Sequence, residues 1–288
     1  MFTTRRLRTY HSVPGCTPAL RGLSPMAIRN KRALLPIVWS TTSKPSLVRR
    51  WRRCRHVKHM MDLETINDEL RNIGLTPRGA FHPGPKDGVP DLMDGCSAET
   101  VVLAGNAGPE MWQAFSAARD PSCELLDDWS KDTLAPLART FNAKAVFPFQ
   151  KPYLPFQRWA QKAEVCHASP LGMFIHPDHG LWHGYRGALL LAEWLELPPA
   201  DNRPSPCDIC SDTPCLKACP VTAFSEGGYQ VPACARHLDS AGGADCMSLG
   251  CRARRACPEG EQARYVPAQA NFHMEAFLKR RRADGSLY

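Results

Sequence analysis

Eight of the chain's thirteen cysteines lie between positions 207 and 257: Cys207, Cys210, Cys215 and Cys219, then Cys234, Cys246, Cys251 and Cys257. Both Cys219 and Cys257 are followed by proline, Pro220 and Pro258. Thiolates are soft ligands that suit iron–sulfur clusters or zinc better than hard cations. A run of four closely spaced thiols ending in Cys-Pro, occurring twice, is the ligand pattern of a two-cluster iron–sulfur protein. In that pattern the last cysteine of each run serves the other run's cluster. The expected partition is one [4Fe–4S] cube on Cys207, Cys210, Cys215 and Cys257, and a second on Cys219, Cys234, Cys246 and Cys251. The bacterial C-x2-C-x2-C-x3-C-P spacing is stretched here to x2, x4, x3 in the first run and to x11, x4, x5 in the second. Inserted residues such as Asp212 and Thr213, ahead of Pro214, call for a bulged loop.

Two other readings of these thiols stay open. A disulfide framework needs an oxidising compartment and usually a short secreted chain. This chain has 288 residues and no signal-peptide pattern. Structural zinc is the stronger rival, because Cys207-x2-Cys210 also suits a zinc ribbon. The doubled Cys-Pro endings favour iron, as does the exhaustion of eight thiols by two four-ligand sites.

A second dense stretch runs from Cys166 to Arg186. It holds His167, His176, His179, Trp182, His183, Tyr185 and Arg186, interleaved with Gly172, Gly180 and Gly184. Glycine where backbone must approach a ligand, beside aromatic faces, suits a large flat cofactor. The plainer reading makes Trp182 and Tyr185 core residues and the histidines loop residues with no ligand. Gly105-Asn106-Ala107-Gly108 could cradle a phosphate on backbone N–H groups, or simply be a tight strand-to-helix turn. Cys96, Cys123 and Cys166 read as small buried hydrophobes, and Cys166 beside His167 is the one to test for reactivity. The stretch from Thr133 to Ala163 contains no Asp or Glu. A proton donor there would have to be Tyr153, whose ordinary pKa near 10 makes it a reluctant one.

The elements that must position these residues can be read from periodicity and punctuation. Asp62 to Ile73 puts Leu63, Ile66, Leu70 and Ile73 on one helical face, ending at Gly74. Thr76 to His82 and Val101 to Ala104 read as strands, and a helix follows Pro109. Asp127 to Phe141 reads as a helix interrupted near Pro136. Ala145 to Phe149 is a strand, Pro155 to Ala163 a helix with Phe156 and Trp159 inward, and Met173 to Ile175 a strand. Leu181 to Leu197 fits strand or helix. Alternating strands and helices make residues 61–200 an α+β domain. The proline-rich stretch 198–206 links it to a small cluster domain, residues 201–265. Residues 266–288 form a C-terminal helix and basic tail.

Residues 1–60 hold 14 of the 36 Lys and Arg and no Asp or Glu, so the remainder carries 22 basic against 28 acidic residues. The formal net charge of +8 therefore belongs to this leader. It reads as a disordered segment, either a targeting peptide, a basic arm, or sequence upstream of a true start at Met60-Met61. An acidic body gives no electrostatic reason for nucleic-acid binding. No stretch approaches the roughly 20 apolar residues that span a bilayer. So many thiols in a chain of this kind point to a reducing compartment, and a cytoplasmic location is expected.

From Phe174 to Pro220, FIHPDHGLWHGYRGALLLAEWLELPPADNRPSPCDICSDTPCLKACP resembles the junction between the cofactor and ferredoxin domains of epoxyqueuosine reductases. Separately, IHPDHGLWHGYRGALLL is similar to a stretch of the cobalamin-processing proteins that share the cofactor fold. The resemblance implies a cobalamin- or flavin-reductase-like α+β sandwich followed by a ferredoxin-like domain with two [4Fe–4S] clusters. It implies bound cobalamin, with flavin as the lesser alternative, and matches His176, Gly180, Trp182 and Arg186 to the cofactor-side loop. It also implies an electron-donor protein or reductase as partner. The reductases carry a catalytic aspartate ahead of this loop, and the matching stretch here, Pro152 to Gln157, has none. They also carry a longer C-terminal region used in tRNA recognition. The expected activity is therefore reduction or processing of cobalamin rather than of epoxyqueuosine. The alternative is a ferredoxin-type carrier with no organic cofactor, whose first domain is a docking platform. A zinc-stabilised interaction module is a third possibility.

Overall fold

Asp62 starts the first helix because its carboxylate accepts the Thr65 amide at 2.8 Å, satisfying one of the N–H groups a helix start leaves unpaired. The computed structural model describes residues 61–93, 95–118, 125–225 and 227–285. The basic leader and Cys123 lie outside the described residues. Helix α1 (Leu63–Asn72) buries Ile66 and Leu70. It leads through Gly74, at φ 81°, into strand β1 (Thr76–Phe81). Then come β2 (Thr100–Ala107), α2 (Glu110–Ala118), α3 (Leu126–Thr140), β3 (Lys144–Val146) and α4 (Phe156–Ala163). A two-residue pair, β4 (His167–Ala168) with β5 (Phe174–Ile175), precedes the long strand β6 (His183–Leu191).

The main sheet has the order β1-β2-β6-β3, and each neighbouring pair is antiparallel. Helices together with an antiparallel sheet place the chain in the α+β class. All eight residues of β2 are buried, because both faces of the sheet are covered. Val102 and Ala104 face a core with Ile66, Leu70, Phe115 and Leu134. Val101 and Leu103 face a second core with Phe156, Trp159 and Cys166. Cys96 is buried in that second core, disulfide-bonded rather than a free thiol.

The same double coverage settles the Leu181–Leu197 ambiguity in favour of a strand. Leu189 and Leu191 enter the first core while Ala188 and Leu190 enter the second. With both faces apolar, the period of two is invisible in the sequence. Two other expectations are corrected. Gly105, Asn106 and Ala107 continue β2, paired with Tyr185, Gly184 and His183. They form no phosphate cradle, and only Gly108, at φ 77°, turns the chain. Helix α3 runs unbroken through Pro136. Proline costs an interior helix roughly 3 kcal/mol, but burial of Leu134, Leu137 and Ala138 on its inner face holds it together.

Beyond residue 200 the chain winds through short pieces: α5 (Pro214–Lys217), the hairpin β7 (Phe224–Ser225) and β8 (Gly228–Tyr229), α6 (Val231–Leu238), α7 (Ala244–Leu249) and α8 (Arg252–Arg255). Helix α9 (Pro267–Ala283) closes the fold. By their contacts the described residues fall within one compact unit. Helix α9 reaches back to the first core, where Phe272 lies 5.3 Å from the Trp112 ring and 5.4 Å from Phe115. Its last turn carries Arg280, Arg281 and Arg282, where cations complement the helix dipole. Among the described residues no helix is long and apolar enough to cross a membrane.

Candidate metal centres and the adjoining cleft

Two small cavities divide the eight cysteines into two fours. The first, about 40 Å³, is lined by Cys207, Cys210, Cys215 and Cys257, with Ile175, Pro206 and Pro214 among its walls. The second, about 20 Å³, is lined by Cys219, Cys234, Cys246 and Cys251, with Phe224, His237 and Met274. Each Cys-Pro cysteine thus faces the cavity of the other run. A 3₁₀ turn at Pro206–Ile209 starts the first set, opened by Ser205, whose hydroxyl accepts the Cys207 amide. The inserted residues are absorbed next. Thr213 takes a left-handed conformation, φ 39° and ψ 54°, so that Pro214 can begin α5 and Cys215 turn inward. Packing of α5 against α8 brings Cys257 across.

In the second set, Cys219 sits just ahead of the β7–β8 hairpin and its sulfur accepts the Ala223 amide at 3.2 Å. Cys234 comes from α6, Cys246 from α7, and Cys251 caps α8. The donor chemistry of each four, soft sulfur only, fits an iron–sulfur cube or zinc. A single zinc ion with bonds near 2.3 Å would draw its donors within about 4 Å of one another. A cube, with an iron at each of four corners, takes donors set wider apart. Burial pushes the Cys234 thiol up to about 11, and it raises Cys207, Cys215, Cys251 and Cys257 as well. These groups are neutral thiols until a metal's charge draws off their protons.

The four residues matched to a cofactor loop lie in different surroundings among the described residues. Of them only His176 lines the neighbouring cleft, a space of about 480 Å³ bordered by β1, the end of α4 and residues 197–203. Gly180 sits against the cluster segment, and a Cβ there would lie 2.0 Å from the Glu259 carbonyl oxygen. Trp182 is 1% exposed, with the Arg254 guanidinium 4.3 Å above its ring and Tyr265 edge-on at 5.3 Å. Arg254 also donates to the Leu181 carbonyl at 2.6 Å. Arg186 donates to Asp127 at 3.4 Å and to the Tyr185 carbonyl at 3.1 Å. Gly180 and Trp182 therefore form the seam between the sheet and the cysteine-rich segments. The cause is the docking of residues 254–265 onto them. Cys166 is the small buried residue expected, and burial first, then the Glu164 carboxylate, pushes its thiol up to about 11. His167 meets the Arg203 carbonyl instead, at 3.1 Å.

What the sequence reading missed is a buried ionic centre at the cleft wall. Arg78 is 0% exposed. Its Nη2 donates to Glu164 Oε1 at 2.6 Å and to His183 Nδ1 at 3.1 Å. A guanidinium can only donate, so His183 accepts on Nδ1 and carries its proton on Nε2, which donates to the Phe174 carbonyl at 3.0 Å. The Tyr185 hydroxyl also donates to Glu164 Oε1. Glu164 is the residue immediately after the acid-free stretch that ends at Ala163.

Three histidines are held neutral, chiefly by burial: His183 down to about 3, His176 and His273 down to about 4. A depressed pKa contributes stability that is complete above the ordinary value near 6.5 and is lost as pH falls toward the folded value. Glu164, raised by burial, runs the other way, losing its contribution as pH rises through its folded pKa, but it is one group against three. The unfolding free energy from urea titrations should therefore fall between pH 7 and pH 5, with a slope approaching about 1.4 kcal/mol per histidine per pH unit below pH 6.5. A flat profile over that range would show that these imidazoles are not buried as neutral rings.

No family profile matches this chain, nor does any curated protein sequence. Among solved structures, it is similar to the epoxyqueuosine reductase of Streptococcus thermophilus, at 14% identity and a TM-score of 0.40, over 69% of this chain and 66% of that one. It is similar also to the epoxyqueuosine reductase of Bacillus subtilis, at 14% identity and a TM-score of 0.42, over 72% and 69% respectively. The chain thus spans about two thirds of the length of those enzymes.

Proposed function

We propose that this chain is an iron–sulfur redox protein in which two [4Fe–4S] clusters pass single electrons to an acceptor held by the α+β part. The observation that carries the reading is the crossed division of the eight thiols between two cavities, four to each. Cys207, Cys210, Cys215 and Cys257 would hold one cluster and Cys219, Cys234, Cys246 and Cys251 the other. Bound clusters supply one-electron steps, and the chain supplies placement and exclusion of water. The walls suggest a direction. Ile175 of the α+β part lines the first cavity, whereas α6 and α9 residues line the second. Electrons from a donor protein or reductase would enter at the second cluster and leave from the first.

That acceptor would be an organic electron acceptor taken up in the cleft lined by Glu164 and His176. Cobalamin remains the first compound to test, on the strength of the resemblance around residues 174–190. The cleft's volume of about 480 Å³ falls in the ordinary range for small-molecule sites. Anaerobic purification should give about eight non-haem irons and eight labile sulfides per chain. A spectral change when cob(II)alamin is added would favour bound cobalamin. Full clusters with neither cobalamin nor flavin bound would favour the second reading, a ferredoxin-type carrier with a docking platform. A colourless folded protein carrying zinc would end both.

A further inference from the structure

A hydrogen-bonded path runs from the cleft wall to the Phe174 carbonyl, one residue short of a wall of the first thiol-lined cavity. Glu164 lines the cleft, with its side chain 11% exposed. From its Oε1 the path runs through Arg78 Nη2 to His183 Nδ1, then from His183 Nε2 to the Phe174 carbonyl. The next residue, Ile175, is a wall of the cavity holding Cys207, Cys210, Cys215 and Cys257. Ile175 also pairs with His167, three residues after Glu164. Both hydrogen bonds to the Glu164 carboxylate, from Arg78 and Tyr185, fall on Oε1. Among the described residues none falls on Oε2. Arg78 itself is over-supplied with donors, since its Nε and Nη1 are buried with no partner among the described residues.

We infer that Glu164 is a redox-linked proton site, which takes up a proton on Oε2 when the first cluster is reduced and presents it to a ligand in the cleft. The inference rests on the two-cluster reading above. In balance, one electron from an external one-electron donor lowers the cluster's charge by one, and one proton from solvent enters through the cleft and neutralises the carboxylate. Reoxidation by an acceptor in the cleft releases both, so that the acceptor receives an electron and a proton together.

The physical cause is electrostatic. A negative charge added in a low-dielectric interior raises the pKa of a carboxyl group coupled to it. Burial has already raised this one, against the opposing pull of Arg78 and the Tyr185 hydroxyl. Around the cleft the other ionisable groups are occupied, His82 with the Glu99 carbonyl at 2.9 Å and His179 stacked on His176. His183 is held neutral between Arg78 and the Phe174 carbonyl, the Cys166 thiol is neutral, and Lys162 is paired with Asp87 at 2.7 Å. Across the cleft His176 is neutral, while Asp178 and Asp201 are both paired with Arg203 at 2.7 Å. Among the described carboxylates lining the cleft, Glu164 alone combines burial with an oxygen that accepts no hydrogen bond.

The test is a reduced-minus-oxidised infrared difference spectrum of the full chain, cluster-loaded and reduced with dithionite, alongside EPR-monitored redox titrations at several pH values. On reduction the wild type should gain the carbonyl band of a protonated carboxyl group, shifted in D2O. The first cluster's midpoint should fall as pH rises between the oxidised- and reduced-state pKa values of Glu164. In Glu164→Gln the band should vanish and the midpoint lose its pH dependence. In Tyr185→Phe, which keeps the carboxyl group, the band should persist at a shifted frequency. Clusters that load and reduce with no such band in the wild type, or with the band intact in Glu164→Gln, overturn this inference alone. A chain that loads no clusters overturns it together with the reading beneath it.

Discussion

Replacing Cys257 by alanine should remove the cluster held by Cys207, Cys210 and Cys215 and leave the one nearer in sequence intact. Iron should fall from about eight to about four per chain, and the surviving EPR signal should be that of the second cluster. The expectation follows from the cavity walls. Cys257 is 7% exposed and lines the first cavity together with Pro258 and Glu259. Cys251, only six positions earlier, lines the second. Helix α8 is what separates them, carrying the chain from one cavity to the other in four residues. The converse variant, Cys219→Ala, should lose the second cluster, although Cys219 closes the first run. If Cys257→Ala instead abolished the second signal and spared the first, the crossed partition would be wrong, and so would the order of electron flow built upon it.

The division of the eight thiols between two cavities was readable from the sequence because residue identity and spacing are local features. Eight like residues within about fifty positions need no tertiary information to be noticed, and a repeated Cys-Pro ending suggests the crossing. Helix α1 was legible for the same reason, as its inward residues Ile66 and Leu70 and its cap Asp62 lie within one short window. Strand β6 was not legible as a strand. Leu189 and Leu190 are adjacent in sequence yet enter different cores, so no alternation of apolar and polar residues marks them. The ionic centre was missed for a different reason. Arg78 and Glu164 are 86 positions apart, and neither residue's neighbours announce burial. The clue available was a glycine. Gly79, at φ 73°, would place a Cβ 2.1 Å from the Ala163 carbonyl oxygen, so its lack of a side chain lets β1 lie against the end of α4, with Arg78 beside Glu164. Trp182 was recognised as a candidate for its ring, but the sequence does not say that the ring would be covered by Arg254, 72 positions later.

Substituting Gly180 by valine should unseat the cluster segments from the sheet and damage the first cluster far more than the second. Gly180 has φ 53°, a conformation that costs other residues roughly 1–3 kcal/mol. Its missing side chain matters as much. A Cβ would sit 2.0 Å from the Glu259 carbonyl oxygen and 2.5 Å from its carbon, and backbone cannot swing aside as a flexible side chain can. The contact is reciprocal, since a Cβ on Gly260 would lie 2.2 Å from the His179 carbonyl carbon. Two glycines thus allow the turn at His176–Gly180, held by paired backbone hydrogen bonds of 2.8 Å, to press directly on residues 259–260. Pushing those residues away moves Glu259 and Pro258, both walls of the first cavity, and loosens the Arg254 contact with Trp182. Strain and overpacking together should cost about 3 kcal/mol or more, read as a lowered urea midpoint. The first cluster's EPR signal should broaden or disappear while the second remains. Gly172→Val is the control: it shares a left-handed φ of 71° but has nothing within 4 Å of its Cβ position, so it should carry only the backbone penalty and leave both clusters in place. Equal losses in the two variants would show that the seam between sheet and cluster segments does not depend on this close approach.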